Sequence, residues 1–349
     1  MRFGHFLYHT NLDPERDTQA IDEALAEARL AEELGYDAVW FSEHHFTGEV
    51  AYGDPMMFAT AVAMQTKRVL LGFAVLEMGL HHPVRVAIQT ALLDNLSKGR
   101  VLLGVARGSS FNAFEYRGFG TSAKEARDQI DEAEELLIKA WTTENVEHNG
   151  RFWQVAFPAI RPRPYQKPHP PLFRACVSAE SVAAMAKQGR LVLFRTSSAE
   201  QAREHIDLYR NTMLSSGFDE QAVERNIDQC WMWRDAYVAE TDERARDEFI
   251  PGFERSDAML KETVARWSPP DEVAPRPRRS LREIYGDSVN PEHSNILLGS
   301  PQRMKEWIAE LRDAGVPNLL LTHRGGVVTP EQGMNSMRLL AEKVMPHFR

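Results

Sequence analysis

Acid–base groups and candidate anion ligands gather at four points of the chain. The run Ala38–Phe41 leads into Glu43-His44-His45-Phe46-Thr47, where imidazoles beside a carboxyl can hold or move a proton near neutral pH. Further on come Glu77 with His81-His82-Pro83-Val84-Arg85, then Ala106-Arg107-Gly108-Ser109-Ser110, then Cys176-Val177-Ser178-Ala179. An arginine, several hydroxyls and the amides of an opening helix together make an anion site, and phosphate is its common ligand. Each signal alone has a plainer reading. A lone histidine at a strand end more often satisfies a buried backbone group than serves a reaction. Arg107 by itself is an ordinary salt-bridge partner, and Pro83-Val84-Arg85 an ordinary helix start. On a strand, adjacent His44 and His45 would point to opposite faces and seldom share an ion, so no metal is expected. Trp231 and Trp233, at period two, either line a pocket or pack the core.

Alternating strands and helices must position these groups. Arg2–Leu7, Ala38–Phe41, Val69–Val75, Val101–Val105, Leu172–Cys176, Leu191–Phe194, Gln229–Val238 and Asn318–Thr322 read as short strands rich in β-branched or aromatic residues. Between them run helical stripes. Ile21, Ala24, Leu25, Ala28 and Ala31 form one that stops at Gly35, and a helix opened by Pro83 carries Val86, Ala87, Leu92 and Leu93. Ser122 with Glu125 marks another helix start, Ser178 can cap a third, and His148-Asn149-Gly150-Arg151 reads as a hairpin turn off the main alternation. This rhythm means a parallel sheet covered by helices, whose eight strands either close into a barrel or lie as an open doubly wound sheet. In a barrel, chemistry sits on the loops after the strands' C-terminal ends, where the groups above fall. One stretch breaks the rhythm. Residues 266–295, rich in proline and charge, read as either a lid over a ligand or disordered chain.

Composition removes several classes of partner. A net charge of −9 argues against nucleic acid or an anionic membrane surface, which need a clustered basic face. Cys176 and Cys230 are the only thiols, too few for a disulfide framework or a cysteine zinc site. No run of about 18 apolar residues offers a membrane span, and the first residues lack a signal-peptide core. A soluble cytoplasmic protein is expected.

Five motifs then carry a resemblance. Val39–Thr47 (VWFSEHHFT), His82-Pro83-Val84-Arg85, Leu92–Arg100 (LLDNLSKGR), Gly104-Val105-Ala106-Arg107-Gly108 and Arg117-Gly118-Phe119-Gly120 follow the order and spacing of the bacterial luciferase-like flavin monooxygenases. The termini Met1-Arg2-Phe3-Gly4 and Val344–Phe348 are similar to those of the luciferase α chain. The chain resembles that family over most of its length, less so between about Glu240 and Asn295.

The resemblance implies a TIM-type (β/α)8 barrel, one domain over 1–349 with 266–295 as a lid or insertion within it. It implies FMN at the barrel mouth, used reduced as FMNH2 from a separate flavin reductase. With O2 this would form a C4a-peroxyflavin that oxygenates a small organic substrate. Arg107 and Cys176-Val177-Ser178-Ala179 match the phosphate site, and Ala106 adjoins it. Ala74-Val75 matches a non-proline cis peptide beneath the flavin ring, and His44 matches the catalytic histidine. Glu43, His82, Ser109, Glu115 and Trp231 fall on the substrate side or support these groups. Relatives pair through early barrel helices, so a homodimer is expected; the apolar region from Met56-Met57-Phe58-Ala59 to Ala87–Ala91 either serves it or packs the core.

Departures qualify the match. Ala106 stands where the α chain has a reactive cysteine, two extra residues separate Gly108 from Arg117, and light emission is not established. Leu193-Phe194-Arg195 and His81-His82-Pro83 look closer to the non-catalytic β chain, whereas His44 and Arg107-Gly108 follow the α pattern. No G-x-G-x-x-G follows a strand, so no nicotinamide site is expected. Two other readings stand beside the monooxygenase: a deazaflavin-dependent hydride-transfer enzyme on the same barrel, and a non-catalytic partner subunit.

Overall fold

The computed structural model describes residues 1–108, 112–269 and 296–349. Its strands are β1 (Arg2–Leu7), β2 (Ala38–Phe41), β3 (Leu70–Phe73), β4 (Leu76–Glu77), β5 (Val101–Ala106), β6 (Val146–Asn149), β7 (Gln154–Phe157), β8 (Leu172–Cys176), β9 (Leu191–Phe194), β10 (Trp231–Val238), β11 (Ile296–Gly299) and β12 (Asn318–Thr322). Eight of them close a parallel ring in the order β1-β2-β3-β5-β8-β9-β10-β12. The ring is shut by β12 on β1, with Arg2 opposite Asn318, and by β10 on β9, with Trp231 opposite Leu193. This is the TIM-type barrel rather than the open sheet. The hairpin β6–β7 stands apart as a two-stranded antiparallel sheet.

Helices cover the ring because their apolar stripes face it. In Asp17–Glu33 the buried positions are Ala20, Ala24, Glu27, Ala28 and Ala31, spaced for one helical face. Asp54, Ser178 and Ser300 each cap a helix by accepting a backbone N–H three residues on, which satisfies one otherwise orphaned donor. Among the described residues no helix is long and apolar enough to cross a membrane.

Tertiary packing moved several sequence boundaries. The expected strand Val69–Val75 stops at Phe73, and the Ala74–Val75 peptide beyond it is cis. Gln229 ends the preceding helix Glu220–Gln229. Leu92 faces solvent at 48% exposure, outside the apolar stripe to which its spacing assigned it. Arg266 and Trp267, assigned from sequence to the insertion, complete the helix Asp242–Trp267, and residues 270–295 lie outside the described residues. Beyond them β11, unexpected from sequence, pairs with the outer half of β10.

The barrel floor is filled by indoles. Trp40 and Trp231 meet at 5.2 Å between ring centroids, with Phe173, Leu102 and Leu193 around them. Gly72 makes this possible: a Cβ there would lie 2.2 Å from the Trp40 ring. The motif Leu92–Arg100 is also structural. Arg100 donates to the carbonyls of Ala63, Thr66 and Val69, and both Asp94 oxygens hold Gln166, fastening the floor below the site.

Candidate functional site

Beyond β2 the chain leaves the sheet, and Phe46 and Gly48 adopt left-handed backbone at φ 70°. His44 and His45 therefore escape the strand alternation expected of them and turn to one carboxylate. His44 Nδ1 lies 3.2 Å from Glu115 Oε1, and His45 Nδ1 lies 3.0 Å from Oε2. Asn112 Nδ2 is 2.9 Å from the same His44 nitrogen. Glu115 is fully buried in the short helix Ala113–Gly118. Phe119 closes over this segment, its ring 4.7 Å from His45 and 5.5 Å from Phe46, while Gly118 leaves room for Phe46. Two of the matched motifs are thus in contact.

Two further buried carboxyls sit at the same mouth. Glu43 accepts the Glu77 amide at 2.6 Å and meets His81 Nε2 at 2.6 Å. The Tyr116 hydroxyl lies 3.2 Å from Glu77 Oε2 and 2.8 Å from the Arg107 carbonyl, an approach that Gly108 permits. It is His81 that joins this cluster. His82 is exposed and accepts the Val84 amide at the start of the helix Pro83–Ser97.

Electrostatics separates the members by role. Burial opposes charge on His44, but the Glu49 carboxylate and the hydrogen bond to Glu115 prevail and push its pKa up to about 10. The ring is an imidazolium at neutral pH. Burial alone would raise Glu115, yet its bonds to His44 and His45 hold it below its usual value. Glu77 is pushed up to about 8 by burial first and by Glu115 second, so it keeps its proton at neutral pH. A folded value above the unfolded 4.5 means stability that is complete below pH 4.5 and is lost as pH rises through about 8. Melting between pH 7 and 9 should therefore show a Tm loss of at least about 2 °C, and Glu77→Gln should remove it. An identical slope in the variant rejects the assignment.

The expected cofactor residues fall on the adjoining arc of the rim. Ala74 and Val75 follow β3, Ala106 ends β5 with Arg107 just after it, and Cys176 ends β8, three neighbouring strands. The register Val105↔Arg174 continues to place Arg107 beside Cys176. Arg107 is exposed, and its side chain makes no hydrogen bond or ion pair with the described residues. Val177, Ser178 and Ala179 are exposed where the helix Ala179–Lys187 begins, so its first amides face outward. The Cys176 thiol, by contrast, is buried among helix residues, with burial pushing its pKa up to about 11, so only its backbone belongs to the rim. Ser109 lies outside the described residues.

The opposite arc holds Tyr8 and Glu49, which sequence reading missed, together with Trp233. Tyr8 follows β1, and its hydroxyl donates to Glu49, while its ring stands 5.7 Å from that of His44. Trp233 donates to Thr322 Oγ1 and carries the Arg195 guanidinium 4.1 Å above its ring. Trp231 is not at the substrate side. It is the first residue of β10, 1% exposed, in the floor against Trp40. The donor atoms of His44, Glu49 and Glu115 come within 4.8 Å of one another, a set that could hold a metal ion, although sequence spacing offered none. Both Glu115 oxygens already serve imidazoles, which accounts for the grouping of Glu115 with His44 as a hydrogen-bonded pair.

The family model for luciferase-like monooxygenases matches residues 1–318. The alkanal monooxygenase alpha chain of Photorhabdus luminescens is 24% identical over 100% of this chain and 97% of its own. The oxygenase component of the flavin-dependent trigonelline monooxygenase of Acinetobacter baylyi is 28% identical over 70% of this chain and 67% of its own. The chain spans about half (49%) of an uncharacterised Sinorhizobium fredii protein, at 31% identity. A monooxygenase from Streptomyces bottropensis superposes at a TM-score of 0.81 with 28% identity, covering 100% of both chains. An F420-dependent secondary alcohol dehydrogenase shares the fold, at a TM-score of 0.71 and 16% identity over 100% of this chain and 99% of its own. The chain belongs to the luciferase-like monooxygenase family.

Proposed function

We propose that this chain is an FMN-dependent monooxygenase that takes reduced flavin from a separate reductase and uses O2 to oxygenate a small organic substrate. The observation that carries this reading is the single barrel mouth that holds both a charged His44 and an exposed Arg107, whose side chain is unpaired among the described residues, beside an exposed helix start. Arg107 and the amides at Val177–Ala179 are suited to the flavin's phosphate, with Ala74, Val75 and Ala106 lining the approach to the barrel mouth. When bound, the reduced flavin supplies the electrons that activate O2. His44 would donate its proton or hydrogen bond there, Glu115 keeps it charged and oriented, and Phe46 and Phe119 restrict water. The A. baylyi relative's designation as an oxygenase component supports a separate reductase.

The deazaflavin reading draws on fold alone, while a relative named as flavin-dependent, matched over 70% of this chain, favours a flavin. Anaerobic titration with FMNH2 and with deazaflavin, followed by rapid mixing with oxygen, separates them. A delay before oxidised flavin appears supports the monooxygenase. Tight deazaflavin binding without that delay moves the assignment to hydride transfer, and binding of neither revives the partner subunit. Arg107→Ala should weaken FMN binding by on the order of 10- to 100-fold, the loss of one charge-assisted contact. Unchanged affinity would remove Arg107 from the site. A homodimer belongs to the same proposal: Met57, Met64, Leu92 and Leu96 are exposed on the two helices Pro55–Gln65 and Pro83–Ser97. Light scattering should give twice the 39.7 kDa chain mass, and Met57→Lys with Leu92→Lys should halve it.

A further inference from the structure

Arg107 leaves the end of β5, and Gly108 beyond it takes left-handed backbone at φ 76°. The peptide between them is held by a buried pair. Glu77 comes from β4, whose register sets it opposite Ala106, and Tyr116 from the helix Ala113–Gly118. The Tyr116 hydroxyl stands 2.8 Å from the Arg107 carbonyl and 3.2 Å from Glu77 Oε2. It owns one proton, and a carbonyl can only accept, so the shorter bond takes that proton. A bond between Tyr116 and Glu77 then needs a hydrogen on the carboxyl. Tyr116 and Glu77 are 0% and 4% exposed, so bulk water does not replace it. The result is a directed chain from carboxyl to hydroxyl to the Arg107 carbonyl. The fit is close: a Cβ on Gly108 would collide with the Tyr116 oxygen, and one on Gly79 would lie 3.2 Å from its ring.

We infer that Tyr116 and Glu77 are positioning residues for the anion-binding turn, acting through the Arg107 carbonyl and holding it only while the carboxyl keeps its proton. When that proton leaves, the carboxylate competes for the Tyr116 hydrogen, and a charge-assisted bond is roughly twice as strong as a neutral one. The carbonyl is released, and Arg107 loses its fixed base. Glu77 is pushed up to about 8, by burial first and by Glu115 second, so the release falls above neutral pH. The other charged groups around Glu77 are Glu43, which takes its amide and binds His81 through the other oxygen, and His44, which stays charged to about 10. Naming the anion as the flavin's phosphate rests on the monooxygenase reading.

The test is FMN binding to the flavin-free protein between pH 7 and 9, read by fluorescence quenching. A phosphate monoester takes its second ionisation near pH 6, roughly a unit below that window. Affinity should fall by about 3- to 10-fold across it, the loss of one net hydrogen bond. Glu77→Gln supplies a permanent donor, so its affinity should be the same at both ends. Tyr116→Phe cuts the chain: binding at pH 7 should weaken by about the same factor, and most of the slope should vanish. That variant decides the matter if Glu77→Gln does not fold. A slope kept in either variant overturns the inference; in Tyr116→Phe it would mean plain repulsion between carboxylate and phosphate. A flat wild-type profile, with affinity still lowered by Arg107→Ala, overturns the inference and leaves the monooxygenase reading standing. No FMN binding, or affinity indifferent to Arg107→Ala, overturns it together with the phosphate assignment beneath it.

Discussion

Replacing His44 with alanine is expected to shorten, by on the order of 100-fold or more, the delay between mixing FMNH2-loaded protein with oxygen and the appearance of oxidised flavin. The readout needs no knowledge of the substrate. The size follows from what the ring is at neutral pH. With its pKa pushed up to about 10, His44 is a positioned donor and not a base. The variant should stay folded, because Glu115 keeps the His45 ring and amide at 3.0 and 3.2 Å. Added imidazole should restore part of the delay if the loss is that of a proton donor. Glu115→Gln is a second arm. It removes a hydrogen bond that holds the His44 proton, so the pH at which the delay collapses should move below about 10. A His44→Ala protein that binds flavin normally and shows the wild-type delay would remove His44 from the chemistry.

Much of this arrangement was legible from residue order, for a physical reason. Barrel strands alternate with helices at short range, so periodicity finds them, and the polar groups just past each strand end mark the mouth. Periodicity gives a side chain's face and not its height. Trp231 and Trp233 both point inward, but the first opens an eight-residue strand and so lies in the floor. The parts of His81 and His82 follow from a signal already present: Pro83 at the first helical position makes His82 the cap, leaving His81 for Glu43. Tyr8 and Glu49 are 41 residues apart and carry no motif, so only the closed ring brings them together. The matched motifs also divide by function. Val39–Thr47 and Arg117–Gly120 meet at Phe46 and Phe119 over the site, whereas Leu92–Arg100 fastens the opposite end. Ser109 and residues 270–295, the bulk of the expected lid, fall outside the described residues, so the lid remains an expectation from length and composition.

Glu27→Ala is expected to destabilise the fold by about 3–5 kcal/mol, the cost of leaving a buried charge without its partner. Glu27 lies fully buried on the barrel face of Asp17–Glu33, and Arg324, 4% exposed just past β12, reaches its Oε1 at 2.8 Å. His9 Nδ1 stands 3.2 Å from the same oxygen. Burial alone would raise the Glu27 carboxyl, but Arg324 and the neighbouring His5 and His9 hold it well below its usual value. Its contribution is therefore present above pH 4.5 and is lost as pH falls through the lower folded value. Denaturant melts of the wild type should weaken in acid below that point. Glu27→Ala should be weak at neutral pH and flatter in acid. The partner argument makes a sharper demand. Glu27→Leu combined with Arg324→Met removes both charges and should recover most of the stability that either change alone destroys. If the double variant is as weak as the sum of the singles, the loss is one of packing and not of an orphaned charge. The pair would then be no more than a well-fitted volume between the first helix and the last strand.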